Sequence, residues 1–153
     1  MRTCMQKISC QLTSASAALA AGAVLLSCNP PSYSTRPIEL KYYANGPWAV
    51  TVLTGWKCCD SLGNKFDLYY PTNLTPPPGG FPILTWGNGT NSTSSNYLYF
   101  LKHMAFWGFV VIATQDLNTG PGQTILDAAN LMIGQNTVSG GAFQNKLNTA
   151  SMR

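Results

Sequence analysis

The sequence predicts an α/β fold: a mostly parallel sheet covered by helices, with two antiparallel strands on its N-terminal edge. Three observations carry this. Phe109-Val-Val-Ile-Ala113 is apolar on both faces, as a strand buried inside a parallel sheet must be. Around it, strand, loop, helix, strand and helix follow one another at βαβα spacing. Upstream, Lys65-Phe-Asp-Leu-Tyr-Tyr70 alternates polar and apolar residues, the pattern of a strand with one solvated face.

Taken in order, the first 28 residues read as an export signal. Arg2 and Lys7 provide a positive start, and Leu12 to Leu26 is apolar and uncharged. That stretch falls short of the ~20 apolar residues of a bilayer span. Leu25-Leu26-Ser27-Cys28 also matches a bacterial lipobox, which makes Cys28 a lipidation candidate and lipid attachment to the cell envelope an alternative to simple secretion. Residues 29–47 contain Pro30, Pro31, Pro37 and Pro47 and read as a flexible tether. The domain proper is expected over 48–153.

Within it, Trp48–Leu53 is β-branched and short, the first strand; Lys65–Tyr70 is the second. Cys59 to Asn64 carries the turn residues of a hairpin connection. Thr75-Pro-Pro-Pro-Gly-Gly80 must be a loop, and Pro82–Trp86 a brief third strand ending in the flexible Gly87–Ser92. From an N-cap at Ser94 or Ser95 a helix runs to about Trp107, with Tyr97, Leu101, Met104 and Ala105 inward and Lys102 outward. After Gly120-Pro-Gly122 a second helix turns Ile125, Ala129, Met132 and Ile133 to one face.

Composition excludes several functions. Net charge is +4, falling to +2 once Arg2 and Lys7 are removed, and no basic run exists, so nucleic acid is not a partner. Of five cysteines, only the neighbours Cys58 and Cys59 lie in the domain. Neighbouring cysteines rarely bond each other, so each is expected to pair outside this chain or to stay a small buried thiol. With one histidine, no metal site is expected. Asn73-Leu-Thr75, Asn88-Gly-Thr90 and Asn91-Ser-Thr93 match the glycosylation pattern, as Thr/Asn-rich loops do by chance.

Phe81-Pro-Ile-Leu-Thr-Trp-Gly-Asn-Gly-Thr90, the helix ending at Gly108, and Phe109-Val-Val-Ile-Ala-Thr114 resemble the central block of secreted α/β-hydrolase serine esterases. The cutinase-like polyester hydrolases and the dienelactone-hydrolase or chlorophyllase-like esterases are the groups they are most similar to. The resemblance spans roughly residues 48–150 and includes Asp116, Asn118-Thr-Gly-Pro-Gly122 and Asn145-Lys-Leu-Asn-Thr149. It implies an α/β-hydrolase-type sheet, an ester substrate, a serine nucleophile and no cofactor. In this family the strand after such a Lys-Leu-Asn-Thr stretch delivers Gly-x-Ser-x-Gly, and the acid and histidine come later. No Gly-x-Ser-x-Gly occurs in the 153 residues. The resemblance therefore implies a fold interrupted before the nucleophile strand, with Pro82–Trp86 left as an unpaired edge and the chain inactive and poorly folded alone.

One catalytic part carries over by resemblance: the Thr90 backbone N–H, first donor of the oxyanion hole. Glycines before it let the backbone approach a substrate oxygen. Polyester-degrading relatives usually have an aromatic residue where Thr90 stands. Trp86, Asn88 and Gly89 are candidates to line the substrate cleft. His103 lies mid-helix before the fourth strand, where the family has no catalytic histidine, and is read as structural. Asp116 sits at the carboxyl end of a parallel strand, where ligands bind, although capping of the next loop accounts for it better. Asp127 is read as a solvated helix residue. The competing reading is a non-catalytic secreted or lipid-anchored protein that keeps half of the fold for binding.

Overall fold

The computed structural model describes residues 36–152; Cys28 and the whole expected export signal lie outside them. The described residues fall into two units, 36–43 and 44–152. In the first, Pro37–Tyr43, within the segment read as a tether, is a short helix, α1. Its reason is local. Pro37 supplies a helical φ in the first turn, where an N–H is unneeded. Glu39 lies in that turn, and its carboxylate meets the Arg36 guanidinium at 3.7 Å.

The second unit runs β1 (Val50–Lys57), β2 (Phe66–Pro71), β3 (Phe81–Trp86), α2 (Leu98–Phe106), β4 (Val110–Thr114), α3 (Gln123–Gln135) and β5 (Leu147–Met152). A 3₁₀ turn, Ser94–Tyr97, leads into α2. The five strands form one mixed sheet in the order β1-β2-β4-β3-β5. β1 and β2 pair antiparallel, as do β2 and β4, whereas β3 is parallel to both β4 and β5. The α/β class and the antiparallel N-terminal edge are therefore as the sequence predicts.

The alternation of side chains along the strands sorts the core into two layers. Phe66 and Leu68 of β2, Phe81 and Ile83 of β3, and Val110 and Ile112 of β4 share one cluster with Ala128 and Met132 of α3. The intervening Tyr69 and Val111 pack with Leu101 and Ala105 of α2 on the other face. Tyr97 and Met104 pack against this second cluster, as expected. On α3 the expected face needs one correction: Ile133 is 41% exposed, and the buried positions are Thr124, Ala128, Ala129 and Met132. The polar Thr124 enters the core because a carboxylate receives its hydroxyl there, as described below.

The largest departure is β5. The expectation that β3 would be an open edge is overturned, because Leu147 pairs with Phe81, Asn148 with Pro82 and Met152 with Ile83. The register skips residues between these pairs, and Asn148 explains how. Its Oδ1 accepts the N–H groups of Ala150 and Ser151, so the looped-out backbone is satisfied locally. Gly80 makes the approach possible: its φ is +87°, and a Cβ there would sit 2.8 Å from the Asn148 nitrogen.

At the opposite end of the sheet, Cys58 and Cys59 are joined to each other by a disulfide across a cis peptide bond, and both are exposed. This corrects both the outside pairing and the buried thiol expected for them. Among the described residues no helix is long and apolar enough to cross a membrane.

Ile112 lies on a central strand, fully buried beneath α3. Ile112→Ala removes three carbon atoms from a site that cannot collapse, and the expected loss is about 2–5 kcal/mol in urea unfolding. Ile133→Ala on the exposed flank of α3 should cost far less, and equal losses would contradict the burial assignment.

Candidate functional site

The parallel strands β3, β4 and β5 end on the same edge of the sheet, the edge where ligands bind in α/β folds. Three loops converge there: Asp60–Asn64 between β1 and β2, Gly87–Thr93 after β3, and Gln115–Gly122 after β4. Fully buried Thr114, the last residue of β4, joins them. Its hydroxyl donates to Asp60 Oδ2 at 2.6 Å and accepts the Asp116 N–H at 3.1 Å. Its carbonyl accepts the Asn88 side-chain amide at 2.8 Å.

Asp60 also accepts the N–H groups of Leu62 and Asn64 and the Asn64 side-chain amide, which shapes the hairpin turn. Burial alone would raise its pKa. The hydrogen bonds from Thr114, Asn64 and Leu62 outweigh that and hold the carboxyl below its ordinary value of 3.8. Asp127 is not merely solvated. It accepts the Ser61 N–H at 2.8 Å and the Gln123 amide at 2.9 Å, tying this turn to α3. These bonds, Ser61 foremost, lower its pKa as well.

Asp116 is buried and caps its own loop, accepting the Asn118 N–H at 2.8 Å and the Thr124 hydroxyl at 2.9 Å. This is the capping role weighed for it from sequence. His103 is half-buried on α2 with its ring stacked on Tyr99 at 6.2 Å.

Of the cleft candidates, Asn88 is buried and its side-chain NH2 holds loops together, whereas its Oδ1 has no hydrogen-bond partner among the described residues. Its Nδ2 donates to the carbonyls of Thr114 and Asp116, and its own carbonyl accepts the Thr119 hydroxyl at 2.7 Å. Trp86 packs its ring against Tyr97 and Phe100, with centroids 5.0 and 5.2 Å away. Gly87 faces α3: a Cβ there would collide with Ile125. Gly89 faces Tyr97, whose hydroxyl would lie 2.9 Å from such a Cβ and accepts the Gly89 N–H at 3.3 Å.

The loop beyond Gly89 is equally committed. Asn91, at φ +56°, donates its N–H to the Leu117 carbonyl, and Ser92 donates to the Gly89 carbonyl. Asn96 Oδ1 accepts the Thr93 N–H and starts the 3₁₀ turn. Between these, Thr90 is exposed, and among the described residues its N–H has no acceptor. Of the three glycosylation matches, Asn73 and Asn91 are exposed, whereas the Asn88 amide is enclosed.

A second polar cluster lies close by, which sequence reasoning missed. Asp67 of β2 is buried, and its Oδ1 accepts the Gly55 N–H at 2.7 Å and the Gln115 amide at 2.8 Å. Buried Ser94 donates to Asp67 Oδ2 and accepts the Tyr69 hydroxyl at 3.1 Å. The one available signal was an aspartate in an otherwise apolar strand. No group of three or more His, Cys, Asp or Glu among the described residues is placed to hold a metal. No family model and no curated protein matches this chain.

The lowered Asp60 pKa gives a signed pH prediction. A carboxyl whose folded pKa lies below its unfolded one stabilises the fold above the unfolded value, about pH 4, and loses that contribution as pH falls through the folded value. Acid titration of stability should therefore be steeper for the parent than for Asp60→Asn below about pH 4. Identical slopes would show that Asp60 carries no such linkage.

Proposed function

We propose that the second unit is the oxyanion-loop part of an exported carboxylic ester hydrolase of the α/β-hydrolase type. Its serine would be supplied beyond β5. Hydrolases of this fold place the strand that follows the second helix beside the third strand, at the sheet centre. β5 beside β3 agrees with that placement. Both strands then open onto the edge that carries Gly87–Thr93.

The observation that carries the reading is the Thr90 N–H. The N–H groups of Gly89, Asn91, Ser92 and Thr93 are taken up within the protein, and the exposed Thr90 N–H among them has no acceptor among the described residues. A preorganised backbone donor, fixed before reaction, is what a tetrahedral oxyanion requires. In the reaction proposed, serine adds to the ester carbonyl, and charge develops on its oxygen against Thr90 and the amide following the nucleophile. The alcohol leaves, and water releases the acyl group. Neither metal nor cofactor enters these steps. Export rests on the Arg2, Lys7 and Leu12–Leu26 pattern, with Cys28 as the candidate anchor.

The coding sequence beyond Arg153 tests this directly. The reading requires Gly-x-Ser-x-Gly within about a dozen codons. The longer chain should be labelled by a serine-directed fluorophosphonate and hydrolyse p-nitrophenyl acetate and butyrate. In it, Thr90→Pro, which deletes the N–H, should lower kcat about 10²–10³-fold, whereas Thr90→Ala, which keeps it, leaves kcat near the parental value. Unrelated codons, or turnover indifferent to Thr90→Pro, would refute the assignment.

A further inference from the structure

Asp67 and Tyr69 lie on the α2 side of β2, near the ligand-binding edge of the sheet, and nothing in the ester chemistry uses them. Beside them the surface is hollow. Two adjoining depressions of about 370 and 340 Å³ share Thr54, Asp67, Ser94 and Ser95. Buried Asp67 and Ser94 form the floor, and exposed Thr54 and Ser95 stand at the rim. Gln115 lines one lobe and Lys102 the other.

Charge selects what fits. A phosphate or carboxylate would meet the Asp67 carboxylate on the floor. A cation would find that carboxylate already accepting from Gly55, Gln115 and Ser94, with Lys102 lining the same hollow. A neutral ligand carries neither cost. The rim groups are hydroxyls and amides; the Ser95 hydroxyl shares a bond with Thr93 and the Gln115 NH2 donates to Asp67, and each keeps further donor or acceptor capacity to complement hydroxyls on a ligand. Leu117 and Leu98, both partly exposed, offer apolar surface to C–H groups at the two ends. The volumes stand at the low end of the ~300–1,000 Å³ typical of small-molecule sites, which favours one ring over a chain.

We infer that this groove binds a neutral, hydroxyl-rich molecule of monosaccharide size, seated between Thr54 and Ser95 over Asp67. The inference does not depend on the ester-hydrolase reading.

Amide NMR titration of the full chain with D-glucose and D-xylose tests it. Saturable shifts are expected at Thr54, Ser95 and Gln115 for at least one of the two sugars. Asp67 holds β1, β2 and the start of α2 together, so rim variants are the better probes: Thr54→Val and Ser95→Ala should each weaken binding about tenfold, the loss of one hydrogen bond. Absence of saturable shifts with both sugars would overturn the inference. So would unchanged affinity in both variants, or tighter binding of inorganic phosphate or methylammonium at the same amides. Glycerol binding as tightly as the sugars would overturn the size assignment.

Discussion

The hydroxyl of Thr114 sits where water cannot reach, at the end of the most buried strand, and has to find both an acceptor and a donor inside the protein. It finds Asp60 and the Asp116 N–H, and its carbonyl takes Asn88. These contacts join positions 54 and 26 residues away along the chain. A single unmade bond in such a place costs about 1–3 kcal/mol, so the partners must be held together or the strand end must open. That constraint fixes the β1–β2 turn, the loop after β3 and the loop after β4 relative to one another. Asp127 extends it to α3 through Ser61, and Asp116 does so through Thr124.

The loop after β3 is therefore clamped at both ends by buried polar groups of different kinds. At its start, Asn88 binds the end of β4. At its finish, Ser94 binds Asp67 and Tyr69 on β2. Burial raises the Tyr69 pKa, and the nearby Asp67 charge raises it further, so the phenol stays protonated and serves as a donor to Ser94. Asp67 stands against three donors, which is how a carboxylate comes to lie inside a sheet without a cationic partner.

What was legible in the sequence follows from the range of the interaction that decides each element. β4 could be placed because its apolar run is intrinsic to the segment, and β2 because its alternation marks a strand, although the solvated face read from it is covered: Phe66, Asp67, Leu68 and Tyr69 are all buried between β1 and β4. The α2 face was readable for the same reason. β5 was not: Leu-Asn-Thr-Ala-Ser-Met has no strand periodicity, and its register depends on Asn148 folding its own backbone and on Gly80 leaving room. Asp60 was legible as a turn residue but not as the partner of Thr114, since nothing local marks a contact made so far along the chain. Thr124 looked like a polar helix residue for the same reason, and Ile133 like a core one. Thr90 was found only through resemblance to a family. The Asp67 cluster had no such route, because a single aspartate in a strand reads equally as solvated.

The glycines of Gly87-Asn88-Gly89 were read from sequence as room for a substrate to approach backbone, and the structure gives each a packing reason as well. Ile125 of α3 closes over Gly87, and the Tyr97 hydroxyl closes over Gly89. These reasons are compatible and together say more than either. A loop that is flexible because it lacks side chains would lose entropy on binding an oxyanion and stabilise it poorly. Here the missing side chains admit neighbouring elements instead, and those neighbours immobilise the loop. Packing thus holds the two most permissive residues of the segment against Ile125 and Tyr97, and the Thr90 N–H, without an acceptor among the described residues, follows directly on Gly89. The oxyanion role proposed for Thr90 would require such a support before a substrate arrives.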